Sequence, residues 1–123
     1  MKKCIIIGLG CLLLTGCAKT EEMECKYHNN GDNNTFDDVV TVKIKDGIVD
    51  DATMVRSFKD KAGAKNFYKF TSNASDAKGN VELDGKKVIA NNYHDMVAKS
   101  IDKKEVTKKE FKEVMEDQGY VCK

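Results

Sequence analysis

Between positions 39 and 45 the chain alternates: Val40, Val42 and Ile44 face one way, with Thr41, Lys43 and Lys45 opposite. A period of two is the signature of a half-buried strand. Asp46-Gly47 follows, and an extended pattern resumes from Ile48 to Phe58. Two such runs around Asp-Gly predict a hairpin, because both residues tolerate the left-handed backbone of a tight turn. Val81 to Leu83, Asp84-Gly85 and Val88 to Ala90 predict a second hairpin by the same signal. Met23 to His28 reads as an earlier strand. The polar stretch His28 to Asn34 reads as a loop, and so does Asn73 to Gly79.

Helical spacing occurs elsewhere. Ser57 with Asp60 three residues on has the form of a capping box and predicts a helix from about Lys59 to Ser72. Ala64, Phe67 and Tyr68 share its buried face, with Phe70 at the edge. Thr107-x-x-Glu110 is a second capping box. Phe111, Val114 and Met115 then repeat at i, i+3 and i+4, and Gly119 supplies a stop. His94 to Ile101 supports a helical turn or two. Tyr120 to Cys122 would lay a last extended piece beside the first strand. The expected fold class is α+β: a mostly antiparallel sheet of about five strands, two main helices packed on one face, and one disulfide.

The N-terminus follows a different rule. Lys2 and Lys3 form a positive head, and Cys4 to Leu14 is an apolar run of 11 residues. That is short of the roughly 20 residues a membrane-spanning helix needs, and it suits the core of a signal peptide. The run ends in Leu14-Thr15-Gly16-Cys17, which resembles the bacterial lipobox. The resemblance implies diacylglyceryl transfer to the Cys17 sulfur and cleavage before Cys17, with Leu14, Thr15 and Gly16 read by the signal peptidase. Residues 1–16 are then a removed signal peptide, 17–22 a lipidated cysteine with a polar tether, and 23–123 a single extracytoplasmic domain.

Cysteine arithmetic fits that division. Of five cysteines, Cys4 and Cys11 leave with the signal peptide and Cys17 carries lipid. Cys25 and Cys122 remain, one at each end of the domain. An exported chain meets an oxidising or thiol-poor space, so the pair is expected to be bridged. The competing readings are a catalytic thiol or a pair of metal ligands. A catalytic thiol wants a neighbouring His or a helix N-terminus, whereas Cys122 follows a helix end.

Charge narrows the partners. Lys plus Arg is 21 against 20 for Asp plus Glu, and removal of Lys2 and Lys3 leaves 19 against 20. A balance so near zero argues against nucleic acid and against a polybasic membrane patch. Arg56 is the sole arginine. One arginine among so many lysines argues against bidentate phosphate recognition.

Candidate chemistry is sparse. His28 and His94 with Asp32 or Asp95 lack zinc-ligand spacing. Asn29 to Asp38 is oxygen-rich but lacks the alternating ligands and closing glutamate of an EF-hand. Asp37-Asp38 and Asp50-Asp51 are strand neighbours whose side chains point to opposite faces. Ser57, Ser72, Ser75 and Ser100 have no nucleophile-elbow context. The expectation is a chain with no catalytic residue, no metal site and no cofactor.

The lipobox, the early Cys25, the Asp-Gly hairpin, the middle helix and the Thr-x-x-Glu-Phe helix running into Gly119-Tyr120-x-Cys122 together resemble the YehR-like small lipoproteins of low-GC Gram-positive bacteria. That resemblance implies an α+β domain facing outward from the membrane and imports no activity. The reading is therefore a membrane-anchored, monomeric binding module of the cell envelope. Its membrane contact is the lipid on Cys17, and a protein, peptide or glycan is its partner. The alternative is a small tethered inhibitor or protective factor against an extracellular hydrolase.

Overall fold

A computed structural model describes residues 19–31, 35–73 and 80–123. The strands are β1 (Thr20–Asn30), β2 (Thr35–Lys45), β3 (Ile48–Phe58), β4 (Val81–Asp84), β5 (Lys87–Ala90) and β6 (Val121–Cys122). The helices are α1 (Lys61–Ser72), α2 (Tyr93–Ser100) and α3 (Lys108–Asp117). The strands form one open sheet in the order β4-β5-β3-β2-β1-β6, and every pairing is antiparallel. This is the expected α+β class. The closing extended piece forms a sixth strand against β1, and the 93–100 stretch is a complete short helix.

Register decides which face is covered. Met23, Cys25 and Tyr27 on β1 stand opposite Val42, Val40 and Asp38 on β2, and those oppose Ala52, Met54 and Arg56 on β3. Met23, Cys25, Val40, Val42, Ala52 and Met54 are buried and share one core with Val97 and Ala98 of α2 and with Phe111 and Met115 of α3. Glu22, Glu24, Lys26 and His28, on alternate positions of β1, are exposed on the other face.

One irregularity keeps the core continuous. Lys43 opposes Asp51 while Ile44 opposes Val49, so Asp50 is an extra residue in β3. A bulge of one residue shifts the two-residue alternation by one. Val49 on one side of it and Ala52 on the other are both buried as a result.

The two hairpins turn differently. Asp46 and Gly47 have φ of 53° and 79°, the paired positive values of a type I′ turn. In the second hairpin Asp84 pairs with Lys87, so Gly85-Lys86 forms the turn. Only Gly85 is left-handed there, with φ 62°.

Four boundaries depart from the sequence reading. Thr20 to Glu22, expected in a tether, already pair with Lys45 to Lys43. The loop expected from His28 is strand as far as Asn30, because His28 and Asn29 pair with Asp37 and Phe36. The residues at both ends of this strand are polar even where they are buried, as Glu21 is, so no hydrophobic alternation marks them and both ends escape detection. β2 likewise begins at Thr35 rather than Val39. In the first helix the cap is Asp60, whose carboxylate accepts from the Gly63 amide at 2.8 Å, while Ser57 lies within β3. Residues 74–79 of the predicted loop lie outside the described residues.

The last helix matches its signals. Thr107 and Glu110 make a reciprocal capping box. At the other end the Gly119 amide donates to Glu116 O at 3.0 Å and the Tyr120 amide to Met115 O at 3.0 Å. These two bonds form a Schellman stop, which turns the chain into β6.

Candidate functional site

Asp38 continues the buried row of Val40, Val42 and Ile44 and is itself only 1% exposed. A carboxylate placed there by strand alternation must be paired or pay heavily in lost hydration. Arg56, directly opposite on β3, supplies the pairing: its Nε donates to Oδ1 and its Nη2 to Oδ2, each at 2.7 Å. The Tyr120 hydroxyl donates to Oδ2 as well. Aromatic rings enclose the ion pair. The guanidinium carbon lies 3.9 Å from the Phe36 ring centre and 4.6 Å from that of Phe67. Tyr27 packs on Tyr120, and Phe58 on Phe36 and Phe67.

Burial is the first cause acting on the neighbouring groups. It raises the Tyr120 phenol well above its ordinary value, and donation to Asp38 raises it further, since ionisation would set two anions together. Tyr93 is raised by burial first and by the charge of Asp38 second. Burial alone would lower Arg56, but its hydrogen bonds and charge attraction to Asp38 outweigh that and hold it above its usual value. The carboxylate receives three donors and the guanidinium lies between rings. Such an arrangement suits a structural clamp and leaves no base poised toward a substrate.

The other predicted positions are scattered. Leu14, Thr15, Gly16 and Cys17 lie outside the described residues. The Cys25 and Cys122 sulfurs are at disulfide distance, 2.05 Å, across the β1–β6 pairing and 97 positions apart in sequence. His28 pairs with Asp37 across β1 and β2 on the exposed face. His94 accepts the Ala52 amide at its Nδ1 at 3.2 Å. The two imidazoles serve different strands, and no group of three metal-ligating side chains occurs among the described residues. No helix among them is long and apolar enough to cross a membrane.

A small apolar groove of about 110 Å³ lies between α1, the β4–β5 hairpin and α2, lined by Phe67, Phe70, Val81, Val88 and Met96 among others. Phe70 stands at its rim, 79% exposed. Sequence reasoning placed Phe70 at a helix edge without seeing the groove, which requires two hairpin strands and two helices to meet.

It also overlooked the Asp38–Arg56–Tyr120 clamp. One signal was present: Asp38 is in phase with three apolar residues, so the alternation itself places an acid on the buried face.

No family model, no curated protein and no solved structure matches this chain.

Proposed function

We propose that this chain is a lipid-anchored protein of the bacterial envelope. It is exported, cleaved before Cys17, acylated on Cys17, and presents its domain outside the cytoplasm as a binding module rather than an enzyme. The observation that carries the reading is the Cys25–Cys122 pair at disulfide distance. Such a bond persists in oxidising compartments, where the signal-like N-terminus and the Leu14-Thr15-Gly16-Cys17 sequence would send the chain.

Binding is favoured over catalysis because the best-organised polar cluster is saturated by its own partners. The groove at Phe70 suits an apolar side chain of a peptide or protein. A glycan suits it less, because sugar hydroxyls buried against such a lining would lose their hydrogen bonds to water.

Mass spectrometry of the protein purified from its native membrane tests the reading. The expected product starts at Cys17, carries diacylglycerol there, and is two hydrogens lighter for the Cys25–Cys122 bond. Recovery of an unprocessed chain with reactive thiols would overturn it.

A further inference from the structure

Two hydrogen bonds tie Lys19 to Asp46 at the tip of the β2–β3 hairpin, and strand pairing continues from there. The Asp46 amide donates to Lys19 O at 2.7 Å, the Lys19 amide donates to Asp46 Oδ1 at 3.0 Å, and β1 begins pairing at the very next residue, Thr20 with Lys45. Only Ala18 stands between Lys19 and Cys17. Two extended residues span at most about 7 Å. If Cys17 carries the lipid, Lys19 lies within that reach of the anchored residue and the hairpin tip one strand spacing of about 5 Å beyond it. The tip then stands no more than about 12 Å from Cys17, which is one to two headgroup layers of about 5–8 Å each and a fraction of the sheet's length.

We propose that the β2–β3 hairpin end of the sheet rests directly on the headgroups of the bilayer holding the Cys17 lipid, with the strand ends at Asn30 and Phe58 pointing away. This rests on the lipid-anchor reading above and adds an orientation and a contact surface to it. β3 covers 11 residues. At about 3.4 Å per residue the far end stands on the order of 30 Å from the tip.

The surface formed at the tip is built from two parts of the chain. Thr107 bridges to Ile48, and the Lys108 amide donates to Gly47 O at 2.9 Å, so the start of α3 flanks the turn. Lys108 also reaches Glu21 with its ammonium at 3.1 Å. Lys19, Lys43, Lys45 and Lys108 are accompanied at this end by Glu21, Glu22, Asp46, Asp50 and Asp51, so lysine is not in excess. A balanced surface has no net attraction for anionic lipid. The short covalent reach, not charge, holds it down, so the contact should be insensitive to salt.

Lysine footprinting of the full-length, lipidated protein on phosphatidylethanolamine–phosphatidylglycerol vesicles tests this, with a membrane-impermeant amine reagent read by mass spectrometry. Lys59, Lys61 and Lys86 at the far end serve as internal references. Lys19 and Lys45 are expected to label several-fold more slowly on vesicles than in a variant with a 12-residue Gly-Ser insertion after Ala18, which adds roughly 20 Å of reach. The far-end lysines should label alike in both, and added salt should not change the ratio.

Equal labelling of Lys19 and Lys45 in the two proteins would overturn the orientation, as would protection centred on Lys26 or on Lys59 and Lys61. Loss of protection in high salt would replace covalent restraint with charge attraction and would also overturn it. Absence of lipid on Cys17, or failure to bind vesicles at all, would instead remove the anchor reading beneath it. The mass measured on the same sample separates the two failures.

Discussion

Tyr120 donates its hydroxyl to Asp38, a residue 82 positions earlier in the chain. The bond joins the end of the α3 stop to the middle of β2 and completes the set of donors around a buried carboxylate. Tyr120→Phe removes one donor and leaves the Arg56 fork. It should cost about 1–3 kcal/mol, the range for a buried acceptor losing one partner. Urea denaturation checks this, and the slope should be unchanged while the midpoint falls.

Alkaline stability follows from the same contact. Tyr120 and Tyr93 have folded values raised above the ordinary tyrosine value of 10.0. The folded state therefore holds their protons longer than the unfolded state does. Their contribution is fully present below the unfolded value and is lost as pH rises beyond it. Unfolding midpoints should decline above about pH 10. Tyr120→Phe should make that decline shallower, leaving the part due to Tyr93.

Arg56 and Asp38 should behave as one unit. Arg56→Ala strands a buried carboxylate and is expected to cost about 3–5 kcal/mol. Arg56→Lys should also destabilise, because a lysine can neither fork onto both carboxylate oxygens nor stack between Phe36 and Phe67. A double-mutant cycle with Asp38→Ala should give a total well below the sum of the single effects.

The Cys25–Cys122 pair is buried, with Cys25 0% and Cys122 7% exposed. Reductant should leave it intact in native buffer and open it only with denaturant, as mass spectrometry after alkylation would report. The 97-position separation closes most of the domain into one loop. Cys122→Ser should then lower stability by on the order of 4–5 kcal/mol in the chain-entropy account.

Phe70 and Thr107 give a contrast between surface and frame. Phe70 is 79% exposed, so Phe70→Ser should move stability by no more than about 0.5 kcal/mol while weakening any apolar partner's hold on the groove. A photo-crosslinking residue at position 70 would report that partner. Thr107→Ala removes a side-chain cap and should cost about 1 kcal/mol. The Lys103 hydrogen bond, followed by the Thr107 backbone bond, holds Glu110 below its ordinary value. The folded state therefore releases this proton more readily than the unfolded chain. Its support for α3 is present above the usual glutamate range and is lost as pH falls through the folded value.

Local rules made much of this protein legible from its residues. The Asp46-Gly47 hairpin, the Thr107–Glu110 box, the Gly119 stop and the buried stripe Val40, Val42 and Ile44 are each decided by neighbours a few positions apart. The pairing of Cys25 with Cys122 was legible too: the expectation that Cys4, Cys11 and Cys17 belong to an export signal leaves these two, and their sulfurs stand at disulfide distance. The tertiary structure alone decided what long-range contact controls. It extended β1 through polar residues at both ends, placed the bulge at Asp50, gathered Asp38, Arg56 and Tyr120 from three elements, and opened the groove beside Phe70. The physical reason is the same throughout. A turn or a cap is satisfied by its own backbone, whereas a buried charge or a polar strand is satisfied only by a partner whose distance in sequence no local pattern records.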